Sequence, residues 1–443
     1  MDVLTAARAQ MEVSLAFHMF FAALGIGMPL LMVIAEGLWL RTGKQHYRAL
    51  AKKWAKATAI TFAVGAVSGT ALAFELGLLW PRFMAFAGGI VGSAFALEGY
   101  AFFIEAIFLG LYLYGWERLS PRAHWLTGIP IAVSGMLSGV LVVAANAWMQ
   151  NPVGFEVVNG QPVNVNPWAP FLSPAWFQMA LHSTLSCYIA TAFAAAGVYA
   201  LGLLRGRTDA YHRSALGIAL AVGAVTALLQ PLSGDLSAKH VAEHQPAKLA
   251  AMEAHFETAA GVPLIIGGLP DAENGTVDYA LRIPKLLSFM AKGDFDAVVT
   301  GLNDIPEDER PNVLITHVAF QVMVGAGFAL MALGAWYWLA RWKRRADSPL
   351  LLKALLLGSP LGFLALQTGW IVTEVGRQPW VIQGVMRTED AVTPVQGVPV
   401  TFWGFSVLYL ALGVALVSLL RYLATGGSEP EPSPKTREVV DVA

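Results

Sequence analysis

The sequence has little charge and almost no cysteine. Of 443 residues, 13% are Asp, Glu, Lys or Arg, against about 25% in an ordinary soluble chain, so water is not its main solvent. The formal net charge of −1 lacks the basic excess that a nucleic-acid partner requires, and no nucleic acid is expected. One cysteine, Cys187, excludes an internal disulfide, a Cys-based zinc site and an iron–sulfur cluster. Inside an apolar run it reads as a small buried hydrophobe. No repeat of about 20–50 residues stands out, which argues against a solenoid. No cleavable leader is apparent, because the first apolar run, 13–40, is too long for one and reads as an uncleaved span.

What the chain has is apolar sequence: 56% of it is hydrophobic and the mean hydropathy is +0.56. A spanning helix needs about 20 mostly apolar residues. Nine stretches qualify, at about 13–40, 57–80, 90–115, 125–149, 176–203, 212–232, 314–340, 350–373 and 399–423. The expected fold is an all-α polytopic membrane helix bundle with about nine transmembrane helices. Its organisation would be helices 1–6 over 1–232, a long outer-side loop over 233–313, helices 7–9 over 314–425, and a charged, Pro-rich, disordered tail over 426–443. The loop carries an amphipathic stretch, AKLAAMEAHFETA, followed by turn-rich GGLPDAENG.

Lys and Arg set the orientation. They gather after the first span (Arg41, Lys44, Arg48, Lys52, Lys53, Lys56), the third (Arg118, Arg122), the fifth (Arg205, Arg207, Arg213), the seventh (Arg341, Lys343, Arg344, Arg345, Lys353) and the ninth (Arg421, Lys435, Arg437). The fourth loop, about 150–175, has none. Odd loops and the C-terminus are therefore expected in the cytoplasm and the N-terminus outside.

Ionisable residues inside spans are costly and mark function by default. His18, Glu75, Glu98, Glu105, His182 and Glu374 are of this kind, and Met323 joins them as a soft ligand. Singly each has a plain alternative: a hydrogen-bonded packing histidine, a neutral carboxyl or a core methionine. The topology places His18, Glu75, Glu98, His182, Met323 and Glu374 on six helices near one depth, on the side of the long loop. Glu98 and Glu105 are seven residues apart and share one face of their helix, with Glu105 about 10 Å deeper, as a proton relay would require. His and Met are a usual axial pair for a low-spin heme, and His182 with Met323 could supply one. An oxygen-reactive heme needs an open position and a single strong ligand, for which His18 and Glu374 are the candidates. With no CxxCH, any heme is bound without covalent attachment.

LEGYAFFIEA, NAWMQNPVG, QPAKLAAMEAHFET and GWIVTEVGRQPW resemble blocks of subunit I of the cytochrome bd-type quinol oxidase family, short-loop type, along nearly the whole chain. The resemblance implies a low-spin heme b, a high-spin heme b, and a heme d or a third heme b. It implies His182 and Met323 as ligands of the low-spin heme, and His18 and Glu374 as ligands of the high-spin pair. It also implies Glu98 and Glu105 beside that pair, Trp370 between hemes and Arg377 against a propionate. In the loop it implies Gln245, Lys248 and Glu253 at the quinol. Implied partners are ubiquinol or menaquinol, O2, a smaller membrane subunit II, and room for a single-helix accessory subunit. Many members carry Arg two residues before the Met ligand, where this chain has Gln321.

The expected activity is an electrogenic quinol:O2 oxidoreductase. Quinol would be oxidised at the outer face and O2 reduced to water with cytoplasmic protons, through Glu105 and Ser138, building a proton motive force without pumping. The rivals are a cyanide-insensitive bd-like oxidase with only b-type hemes, a heme electron-transfer protein that does not reduce O2, and a transporter.

Overall fold

Asp2 caps the first helix by accepting from the Thr5 amide at 2.8 Å, so α1 (Val3–Thr42) begins ten residues before the apolar run at 13. The computed structural model describes residues 1–425, and the expected disordered tail at 426–443 lies outside the described residues. Gly43, at φ 69° in the left-handed region, ends α1 in the manner favoured by glycine. After Lys44 the chain enters α2 (Gln45–Leu79). The basic residues assigned to a first loop therefore lie on two helix ends. Hydropathy marks only the apolar slab, whereas helical hydrogen bonding continues past it.

α3 (Pro81–Tyr114) and α4 (Pro121–Gln150) follow, then the hairpin β1 (Glu156–Val158)/β2 (Gln161–Val163) and the short α5 (Ala169–Leu172). α6 (Trp176–Leu204) and α7 (Ala210–His244) form a tight pair, and α7 continues past residue 232. Next come α8 (Pro246–Met252), β3 (Ala259–Ala260), β4 (Leu264–Asp271), β5 (Thr276–Ile283), α9 (Leu286–Lys292) and β6 (Val298–Val299). β3 pairs with β6 and β4 with β5, both antiparallel. α10 (Val313–Trp342), α11 (Pro349–Gly358), α12 (Leu361–Val375), β7 (Trp380–Ile382), β8 (Met386–Arg387), α13 (Thr388–Ala391) and α14 (Val398–Thr425) complete the described chain.

Among the described residues, nine helical stretches are long and apolar enough to cross a membrane, with α11 and α12 counting as one broken span, 349–375. This is the all-α membrane bundle that the apolar runs predict. Its core has two poles. Leu31, Leu50, Leu109, Ile131, Phe193, Leu216 and Leu351 meet at one, which also carries most of the Lys and Arg. Trp80, Phe83, Ile90, Trp148 and Ile382 meet at the other, beside the long loop. The loop itself has a core around Ala250, Phe256, Ile265, Val277 and Val313. Its amphipathic stretch forms only the seven-residue α8, because Pro246 restarts the helix and Ala254 turns out of it at φ 47°. The turn-rich stretch lies in the β4/β5 hairpin, where the Asp271 carboxylate accepts from the Glu273 and Asn274 amides at 3.0 and 3.1 Å.

Candidate functional site

Gln150, the last residue of α4, is the hub at the loop pole. Its side-chain oxygen accepts from Gln245 Nε2 at 3.0 Å and from Lys248 Nζ. Its own Nε2 donates to Asn146 Oδ1 at 3.3 Å and to the Thr373 carbonyl at 3.3 Å. Asn146 Nδ2 in turn donates to Glu374 Oε1 at 2.5 Å, and Arg377 pairs with the other Glu374 oxygen. Gln245, Lys248, Glu374 and Arg377 are thus joined through two amides of the NAWMQNPVG block. Neither Asn146 nor Gln150 stands out in the sequence, because an uncharged amide sends no ionisable signal.

Arg377 is 4% exposed, yet its Nε and Nη1 have no hydrogen-bond partner. Buried guanidinium donors are costly to leave unpaired, so the site fits an anionic group such as a carboxylate arm. Gly376 lets Lys248 pass: a Cβ there would stand 3.0 Å from Lys248 Cγ and 3.3 Å from Cε.

The candidate iron ligands His18, His182 and Met323 are held by neighbouring hydroxyls and glycines. His18 Nδ1 meets Ser68 Oγ at 3.0 Å, and a Cβ on Gly69 would lie 2.9 Å from its Cε1. His182 Nδ1 meets Ser233 Oγ at 2.9 Å, while Gln230 Nε2 lies 3.1 Å from His182 Nε2. For His182 Nε2 to bind a heme iron, the Gln230 amide would have to swing aside. A Cβ on Gly369 would lie 3.0 Å from the Met323 sulfur, which fixes Met323 of α10 against α12. Trp370 packs beside the cluster of Ala23, Ile26, Cys187 and Leu366. No group of three His, Cys, Asp or Glu suits a bare metal ion among the described residues. Single or paired ligands suit an iron whose other positions a porphyrin fills. The donor set and the orphaned Arg377 nitrogens therefore fit heme.

Among the acids, Glu105 is 4% exposed with Oε1 unpaired. It faces Gly135, whose added Cβ would stand 3.4 Å from both carboxyl oxygens. Glu98, one face-repeat earlier on α3, is half-buried. Glu75 is tied into a separate knot, with Gln10 Nε2 donating to it at 3.1 Å and Thr401 donating to Gln10 at 2.8 Å.

In the loop, Lys248 and Glu253 are 5% and 4% exposed. Burial, and then the neighbouring Arg377 charge, lower the Lys248 ammonium pKa to about 7, partly opposed by Glu374. Burial raises the Glu253 carboxyl pKa to about 8. Glu253 stands apart from the Gln150 hub, and its Oε2 is buried without a partner. Gln321 is occupied elsewhere. It accepts from the Gly267 amide at 2.9 Å and donates to the Ile265 carbonyl at 3.1 Å, which pins β4 to α10. His317, one turn earlier, bridges the Met252 and Gly267 carbonyls at 2.8 and 3.1 Å.

The family model described as cytochrome bd terminal oxidase subunit I matches residues 6–428. The chain is similar to the structure of bd oxidase from Geobacillus thermodenitrificans, with a TM-score of 0.92 and 40% identity, covering 96% of this chain and 99% of that one. The cytochrome bd ubiquinol oxidase subunit 1 of Bacillus subtilis (strain 168) is 33% identical over 436 residues, covering 95% of this chain and 93% of that one. The cytochrome bd-II ubiquinol oxidase subunit 1 of Escherichia coli (strain K12) is 29% identical, covering 88% and 90%.

Proposed function

Because this chain belongs to the cytochrome bd terminal oxidase subunit I family, a family of multi-pass quinol oxidases, we propose a specific division of labour among its residues. Quinol is oxidised at the loop pole, which faces the outer side of a bacterial cytoplasmic membrane, and O2 is reduced to water with cytoplasmic protons, without a pump. His182 and Met323 would hold a low-spin heme b. His18 and Glu374 would hold the high-spin pair, one heme b and either heme d or a further heme b. Bound heme supplies one-electron transfer and the oxygen chemistry.

The remaining work belongs to the protein. Glu253 accepts a proton from the quinol hydroxyl as general base. Lys248 stabilises the developing negative charge on the quinol oxygen, and Gln245 holds the same Gln150 oxygen that orients Lys248. Arg377, with two unpaired buried nitrogens, would neutralise a propionate, and Trp370 would stand between hemes. Glu105 and Glu98 on α3, with Ser138 on α4, carry protons toward the oxygen site. The observation that carries this reading is the unbroken hydrogen-bond chain from Lys248 through Gln150 and Asn146 to Glu374. The smaller subunit II, and an accessory single-helix subunit where one is present, complete the complex.

A pyridine hemochrome assay and a reduced-minus-oxidised spectrum of the purified complex test the ligand assignment. Met323→Leu should remove the low-spin band and His18→Ala a high-spin band, each alone. A colourless wild-type protein, or a low-spin band unchanged in Met323→Leu, would sink the assignment.

A further inference from the structure

A second set of buried polar groups that this reaction leaves unused lies at the opposite, basic pole. Glu36 of α1, Tyr112 of α3 and His124 of α4 are 0%, 0% and 2% exposed. The Tyr112 hydroxyl donates to Glu36 Oε2 at 2.6 Å. His124 Nε2 lies 2.8 Å from the Tyr112 carbonyl oxygen, and Nδ1 lies 2.7 Å from Glu36 Oε1.

Counting hydrogens decides what this network holds. A carbonyl oxygen only accepts, so His124 Nε2 carries a hydrogen. The contact between Nδ1 and Oε1 then needs a second one. On nitrogen it gives imidazolium and carboxylate, and on oxygen it gives imidazole and carboxyl. Either way the pair is neutral and stores one proton, whose loss would leave an uncompensated buried negative charge.

The store has a wet side and a dry side. His124 lines a cavity of about 320 Å³ together with Trp39, Arg48, Trp116 and Glu117, and the Glu117 side chain is 78% exposed. Charges at this mouth are Arg48 and Lys52, at 3.1 and 3.5 Å from Glu117. On the dry side, Tyr112 is seven residues after Glu105 on α3, Glu36 eleven after Gly25 on α1, and His124 eleven before Gly135 on α4. Seven and eleven residues return to the same helix face, and Gly25 and Gly135 are the positions that flank the Glu105 carboxyl. The network therefore stands on the same three-helix seam as Glu105, about 10 Å along α3. Met32, Leu109 and Ile131, at 0%, 4% and 0% exposure, separate the two, so water must enter this apolar layer for a proton to pass.

We infer that Glu36 and His124 form a proton-holding site, loaded from the cavity through His124 and discharged along the α1/α3/α4 seam toward Glu105. The inference rests on the reading that oxygen reduction draws protons from the basic pole. On discharge the stored proton passes to water in the seam and the pair is left at −1. A hydronium from the cavity then restores it, and no electron moves.

Glu36→Gln separates this role from a structural one. The amide can donate to His124 Nδ1 and still accept from Tyr112, so every hydrogen bond survives but the stored proton does not. The complete oxidase is reconstituted in vesicles with a pH-sensitive dye on either side, and the reduced enzyme is mixed with O2. Proton uptake from the basic-pole compartment should slow at least about tenfold, with heme content, thermal midpoint and quinol-driven reduction of the low-spin heme close to wild type. His124→Asn, which cuts Glu36 from the cavity, should slow uptake likewise. Wild-type uptake in whichever variant assembles with full heme content overturns the inference and leaves the broader reading intact. Uptake by the wild type from the loop-pole compartment overturns the broader reading itself.

Discussion

Gln150 spends one side-chain oxygen on two donors, and that economy makes it the sensitive residue of the loop pole. Gln150→Leu would strip Lys248 of its acceptor inside a dry site. A hydrogen bond to a charged group is worth about 1.5–3 kcal/mol, so quinol-driven reduction of the low-spin heme should fall roughly tenfold to a hundredfold, as read by stopped-flow absorbance. Unchanged kinetics would mean that the hydrogen-bond chain is not used. On the proposed assignment, Lys248 and Glu253 would set the pH dependence of quinol oxidation. Glu253, with a pKa raised to about 8, is protonated and idle as a base at low pH. Lys248, with a pKa lowered to about 7, loses its charge as pH rises. The productive pair, ammonium with carboxylate, is then most populated between these values, and quinol oxidation should follow a bell centred between pH 7 and 8. Glu253→Gln should remove the acid limb and lower the rate about a hundredfold or more; an intact acid limb in that variant would assign it to another group.

At the scale of elements, the β4/β5 hairpin explains why Gln321 stands two residues before Met323. An amide can both accept from Gly267 and donate to Ile265, whereas a guanidinium only donates. Gln321→Arg should therefore unpair the Gly267 amide, costing about 1 kcal/mol, and speed hydrogen exchange across 264–283 without unfolding the bundle. Unchanged exchange there would show that the hairpin does not depend on this latch. The helices themselves were legible in the sequence because each carries a long apolar run. Their ends were not, because α2 and α7 continue as helix through residues that hydropathy scores as polar. The candidate ligands were legible as charges out of place. Asn146 and Gln150 were not, and Glu36 and His124 fell at the predicted edges of their spans, at 40 and 125, where polar residues need no explanation. The knot of Gln10, Glu75 and Thr401 joins residues 391 apart, a distance over which no spacing rule operates.

For the whole molecule, the alternating helices put the β1/β2 hairpin at one pole and the chain around Lys343 at the other. Cys187 is buried, so an introduced thiol can be read against a quiet background. Val158→Cys should react with a membrane-impermeant thiol reagent in intact cells, and Lys343→Cys only after permeabilisation; the reverse pattern would invert the orientation. The column of Glu98, Glu105 and Tyr112 on α3 has an electrical meaning as well. Its fourteen-residue span is about 21 Å of helix, near two thirds of a hydrocarbon core of about 30 Å. On the proposed proton route, a proton climbing it would work against the same fraction of the membrane voltage. At roughly 100 mV that is about 1.5 kcal/mol for each charge, enough to slow the step about tenfold. The oxidase would act as its own governor, idling on a charged membrane and accelerating when an ionophore discharges it.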